Sequence, residues 1–175
     1  LAAGAVATFL AGMVVDRVLI KRPSSTASAP GVTATIKLEP GHWLDGQRRA
    51  QEREWPSRKA VAVSSDGGFI VYSAIAENPG PQANPRLYLR RMDRMDALPV
   101  AGTDGGMAPF LSPDDRWIGF WERGKLKKVS VGGGVPAELC DVARPFGADW
   151  GPDDQIVFSS RWDLGLSRIS GQGGD

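Results

Sequence analysis

Between Ala108 and Trp121 a short apolar run ending at Leu111 meets Ser112-Pro113-Asp114-Asp115, and a second apolar run from Trp117 to Trp121 follows at once. Two apolar runs joined by so tight a turn signal predict a β-hairpin. The same pattern stands at Val61 to Tyr72, around Ser64-Ser65-Asp66-Gly67, and at Ala148 to Phe158, around Gly151-Pro152-Asp153-Asp154. In each copy an apolar residue (Val63, Leu111, Trp150) lies three places before the turn aspartate, and an aromatic (Tyr72, Phe120, Phe158) lies five or six places after it.

The turn aspartates Asp66, Asp114 and Asp153 are 48 and 39 residues apart. A period of roughly 40 to 50 residues is that of one propeller blade. A third strand is predicted at Leu89, Leu126 and Leu166, each followed two places on by a base (Arg91, Lys128, Arg168) and three places on by an apolar residue (Met92, Val129, Ile169). Gly-rich turns at Gly132-Gly133-Gly134 and Gly171-Gln172-Gly173-Gly174 close it, and a short fourth strand such as Ala137 to Cys140 leads to the next copy. Four short strands per repeat predict an all-β fold, a partial β-propeller with about three four-stranded blades at about 60–105, 106–145 and 146–175. Each blade buries its faces against its neighbours, so three repeats imply further sequence downstream.

Ahead of the repeats the pattern changes. Leu1 to Val15 holds no charge; Asp16 and Arg17 interrupt, and Val18 to Ile20 resume before Lys21-Arg22. Fifteen uncharged residues fall short of the roughly 20 that cross a bilayer core. Residues 1–20 are therefore read as a transmembrane helix truncated at its start, with a secretory signal peptide and a buried soluble helix as the competing readings. Residues 21–32, rich in Pro, Ser and Ala, form a flexible linker. Residues 33–175 are the incomplete propeller. Within them Thr33 to Leu38 alternates as one strand, expected to complete the last blade of a closed ring. Arg48 to Lys59 reads as an exposed loop or one helical turn, and Ala76 to Arg86, with Asn78, Pro79, Gly80, Pro81 and Pro85, as a loop insertion.

Composition narrows the chemistry. A net charge of +1, with no basic stripe interleaved with aromatics, gives no argument for nucleic acid. The single cysteine, Cys140, has no partner for an internal disulfide and is expected to be a buried thiol. Asp66, Asp114 and Asp153 lack the alternating oxygens of a calcium loop and are expected to bond their own turns. Gly132 to Ala137 has the outline of a dinucleotide fingerprint, but Pro145 arrives too soon for the required helix, so a turn is expected. Gly165-Leu166-Ser167-Arg168 begins like a nucleophile elbow, yet Ile169 stands where its last glycine belongs, leaving Ser167 a strand residue. His42, the one histidine, lies beside a turn and is expected to pack or be solvated. Trp117, Trp121 and Trp150 are expected first of all in the core between blades. No catalytic, cofactor-binding or metal-binding residue is assigned.

These hairpins, strands and Gly-Gly turns resemble the TolB-like β-propeller repeats from about Thr33 to the end of the chain. More narrowly, anchor, Ser/Pro spacer, T-I-K-L-E-P-G, R-L-Y-L-R-R-M-D, G-G-M-A-P-F-L-S-P-D and G-K-L-K-K-V-S-V-G-G-G, in that order, resemble the C-terminal half of bacterial receptor-type serine/threonine protein kinases. That resemblance implies an upstream cytoplasmic kinase domain, a single-pass anchor in the cell membrane and an extracytoplasmic propeller that senses a protein or small-molecule ligand without catalysis. The bases Arg17, Lys21 and Arg22 by themselves favour the opposite orientation. No kinase motif lies in this stretch. A TolB-like envelope binding protein and the propeller of a prolyl-oligopeptidase-type hydrolase remain alternatives. Recognition is expected at loops such as Ala76 to Arg86 and the link Asp141 to Pro145.

Overall fold

A computed structural model describes residues 35–45, 59–76, 84–143, 145–160 and 165–174. They form twelve strands and, among the described residues, no helix. The first sheet holds β1 (His42–Leu44), β2 (Val61–Val63), β3 (Phe69–Ala76), β4 (Arg86–Arg91) and β5 (Leu98–Pro99). The second is a meander of β6 (Met107–Leu111), β7 (Trp117–Glu122), β8 (Lys125–Ser130) and β9 (Ala137–Asp141). The third holds, among the described residues, the three strands β10 (Gly147–Trp150), β11 (Gln155–Ser159) and β12 (Leu166–Ser170). All pairings are antiparallel. Strand β6 touches both β2 and β10, so the first strands of the sheets neighbour one another in chain order within the compact unit that begins at Ile36.

The stacking follows from strand alternation, which sends successive side chains to opposite faces. Each middle strand carries Ile-x-aromatic: Ile70 and Tyr72, Ile118 and Phe120, Ile156 and Phe158. Ile118 and Phe120 pack with Val71, Leu87 and Val100 of the preceding sheet and its exit. Ile156 and Phe158 pack with Phe110, Leu126 and Leu139 of the second sheet. Each sheet thus turns its Ile-x-aromatic face toward its predecessor. On the first sheet that face is covered by Ile36 and Leu38. The opposite face of the third sheet has no covering sheet among the described residues, and Val157 and Leu166 are exposed there.

Two expectations are corrected by register. Leu126 and Leu166 pair with Trp121 and Ser159, and the residue in the same place in the first sheet is Leu87, opposite Ser73, two positions before Leu89. Leu87 and Leu126 are buried between sheets. The strand expected at Thr33 to Leu38 does not form: residues 33 and 34 lie outside the described residues, and residues 35–38 carry no strand pairing. The alternation there serves packing, placing Ile36 and Leu38 against Ile70, Tyr72, Ala74 and Ala97. The early strand is β1 instead. Eight-residue β3 outruns three-residue β2, and β1 fills the remaining edge by pairing Leu44 with Ala74 and His42 with Ala76. It therefore completes the first sheet, where completion of a last blade is expected from the sequence. Residues 1–32, Arg48 to residue 58 and residues 77–83 of the expected loop insertion lie outside the described residues.

Candidate functional site

In an antiparallel meander the first and third connections fall at the same end, and here that end is built from polar turns. Ser64 Oγ and Gly68 N donate to Asp66 Oδ1 at 2.7 Å each, and Phe69 N donates to Ser64 Oγ. In the second sheet Ser112 Oγ (2.6 Å) and Arg116 N (3.1 Å) donate to Asp114 Oδ1, and Trp117 N donates to Ser112 Oγ. In the third, Gln155 N donates to Asp153 Oδ1. The turn aspartates therefore bond their own turns. The Gly68 amide, then the Ser64 hydroxyl, hold the Asp66 carboxyl below its ordinary value; the Ser112 hydroxyl, then the Arg116 amide, do the same for Asp114.

The residue after each turn aspartate sits in the left-handed region: Gly67 (φ 71°), Asp115 (φ 55°) and Asp154 (φ 59°). Asp115 uses this to reach the neighbouring sheet, its Oδ2 accepting from Ser65 N (2.8 Å) and Ser65 Oγ. Asp154 accepts from Trp150 Nε1 and from Gln172 Nε2, both at 3.0 Å. These second aspartates, which the turn pattern alone does not distinguish, lock the turns together.

At this end a groove of 260 Å³ lies between the second and third sheets. Trp117, Trp150, Pro113 and Pro152 line it, and Lys128 reaches it from β8. Lys128 pairs with Gly119 and shares the parity of Leu126, which directs it to the third sheet. It is only 7% exposed. Its Nζ donates to Gly171 O at 2.6 Å and stands 4.7 Å from the Trp117 ring centroid and 6.0 Å from that of Trp150. A buried charge needs such compensation, and indole faces supply part of it. Trp117, expected in the core, is 38% exposed; Trp150 is core as expected, and Trp121 packs partly while its Nε1 donates to Val142 O. Lys128 was visible in the sequence only as one of the recurrent third-strand bases.

The other singled-out residues lie away from this groove. His42 Nδ1 lies 3.2 Å from Pro40 O and Nε2 3.2 Å from Tyr88 Oη; donation by Nδ1 to the carbonyl leaves Nε2 to accept the phenol proton. The ring meets Tyr88 edge-on, Tyr88 stacks on Tyr72, and no serine, threonine or cysteine among the described residues bonds this histidine. Ser167 lies in β12 opposite Phe158. Gly133 and Gly134 form a left-handed turn whose Gly134 N donates to Ala101 O. Cys140 is partly buried, less than expected; burial, then Asp141, push its thiol upward. It lines a wider cleft of 720 Å³ beside β12, where Lys125 pairs with Glu138 (2.8 Å) and Asp141 (3.2 Å). Among the described residues no group of three or more His, Cys, Asp or Glu is placed to hold a metal. Of the two loops expected to recognise a ligand, residues 77–83 and 144 lie outside the described residues. The remaining ends are fastened, by the Arg86–Asp104 ion pair and by Val142 N donating to Gly124 O.

No protein-family model and no curated protein sequence matches the chain. Solved structures do. The β-propeller domain of the Trilobed protease from Pyrococcus furiosus is similar with a TM-score of 0.52 at 9% identity, over 65% of this chain and 38% of that one. A chain of a nidogen/laminin complex gives 0.52 at 12% identity, over 66% and 44%. TolB from Acinetobacter baumannii gives 0.50 at 18% identity, over 68% and 32%. The chain thus spans less than half the length of each. At these identities the likeness establishes the fold alone, that of a β-propeller.

Proposed function

We propose that this chain is the non-catalytic recognition region of a membrane-anchored bacterial serine/threonine protein kinase. Residues 1–20 serve as the single-pass anchor, residues 21–32 as spacer, and residues 33–175 as a propeller segment on the extracytoplasmic side, with the kinase domain upstream. The kinase link rests on the resemblance in motif order. Support for recognition comes from one observation: the recurrent carboxylates and hydroxyls are consumed by their own turns, while an aromatic-lined groove with a buried cation stays open between two sheets. General acid–base or covalent catalysis needs a nucleophile within reach of a base, and His42 faces a carbonyl and a phenol.

Removing residues 33–175 from the full-length protein tests the division of labour. Phosphoryl transfer by the upstream domain is expected to persist, while its response to stimulus changes. Loss of transfer by a purified, folded kinase domain, restored on adding the removed stretch back, would show that the stretch takes part in the chemistry. A full-length sequence without kinase motifs would remove the sensor reading altogether.

A further inference from the structure

The groove between the second and third sheets carries an electrostatic demand that its own residues leave partly unmet. Lys128 has three N–H donors, and one hydrogen bond is assigned to it, to Gly171 O. No described carboxylate stands within ion-pair distance of its Nζ, although two belong to the same groove. Both are engaged elsewhere: Asp114 by Ser112 Oγ and Arg116 N, Asp154 by the Trp150 indole N–H and the Gln172 amide. A desolvated ammonium with donors to spare favours an anion that can enter beside it.

Shape and sign restrict that anion. A volume of 260 Å³ admits one ring or a short alkyl body. The indoles of Trp117 and Trp150 both stand near the lysine, with ring centroids 4.7 and 6.0 Å from its Nζ, and Trp117 is partly exposed, so its ring is accessible for stacking. The carboxylates of Asp114 and Asp154 in its lining oppose a second negative charge, which disfavours phosphate and phosphate esters. We propose that this groove binds a small monocarboxylate with an aromatic or alkyl body, the carboxylate accepting from Lys128 Nζ and the body lying against Trp117 and Trp150. The proposal rests on reading the region as a recognition surface, and it supplies that surface with a site and a ligand class.

Phenylacetate is the probe, titrated into the detergent-solubilised full-length protein by isothermal calorimetry, with phenylacetamide and inorganic phosphate in parallel. Saturable binding of phenylacetate is expected, with phenylacetamide and phosphate each weaker by about tenfold or more. Lys128→Met is expected to lose about tenfold or more, Lys128→Arg to retain most of the affinity, and Trp117→Leu to weaken acid and amide alike. Equal affinity for phenylacetate and phenylacetamide on the unaltered chain would overturn the proposal, and this comparison needs no variant to fold. So would unchanged binding in a folded Lys128→Met chain, phosphate binding as tightly as phenylacetate, or no saturation by about 20 mM. Because binding is read without kinase activity, a groove indifferent to phenylacetate sinks this inference alone, and the deletion experiment still judges the sensor reading.

Discussion

Phe120→Ala is expected to destabilise the chain by about 3–5 kcal/mol, the cost of a large cavity where a buried aromatic is removed. Phe120 has no exposed surface and fills the space between the first two sheets together with Val71, Leu87, Val100, Ile118 and Val129. Its ring also lies close to Gly106, where a Cβ would stand 3.1 Å from Phe120 Cδ2, so the backbone on that side is already near and has little room to close the void. Since a domain's whole stability is only about 5–15 kcal/mol, one such void removes a large fraction of it. Urea unfolding followed by circular dichroism measures the loss. Val157→Ala is the matched comparison. It occupies the middle strand of the third sheet on the exposed side, at 40% exposure, and is expected to shift stability by less than about 0.5 kcal/mol. Equal losses at the two positions would mean that the Ile-x-aromatic face is not the one each sheet buries.

Gly119→Val is expected to be comparably harmful for the opposite reason. A Cβ built on Gly119 would stand 2.1 Å from Cζ of Phe110, its partner across β6 and β7, and no real carbon approaches so closely. Phe110 is 1% exposed and held against Trp150, Leu126 and Ile156, so the ring has no free volume to move into. The backbone at Gly119 is not left-handed, which leaves steric overlap as the cause. Overpacking of this kind costs about 1–3 kcal/mol and sometimes more, and the upper end is expected where a ring is pinned on both sides. Phe110→Leu in the same chain should recover part of the loss, because shortening the ring vacates the space that valine needs. A double-mutant cycle in denaturant measures that coupling; purely additive losses would place the strain somewhere other than this pair.

Much of the fold was legible because its signals are local. Ser/Pro/Asp turns and the Ile-x-aromatic alternation act over five to ten residues, so three hairpins and their period could be read directly from residues such as Asp114 and Phe120. Elsewhere tertiary packing overrode the local pattern. Leu89 fits the spacing of a base two places on and an apolar residue three places on, yet the pairing of Leu87 with Ser73 makes Leu87 the residue that matches Leu126. Thr-Ile-Lys-Leu alternates like a strand, yet its apolar residues cover a sheet face, while His42–Leu44 becomes the strand because β3 has edge to spare. The groove was least legible. Its parts come from the turn before Trp117, the middle of β8, the end of β10 and the turn after β12, and nothing in any one stretch shows that Lys128 lies near two indoles. Asp115 is a similar case, since its bond to Ser65 spans 50 residues and joins two sheets.

The stacking of the sheets and the site it creates meet in one side chain, so nuclear Overhauser contacts of Lys128 are the most direct measurement. With the second and third sheets face to face, the Lys128 ε-methylene protons should be shifted upfield by the nearby rings and should give cross-peaks to Trp117, in their own sheet, and to Trp150, in the next. The Ile156 methyls should correlate with Leu126 and Leu139, and the Ile118 methyls with Val71 and Leu87. An unshifted Lys128 with no contact to Trp150, or Ile118 correlating with Leu139 in place of Leu87, would contradict both the order of the faces and the groove between them.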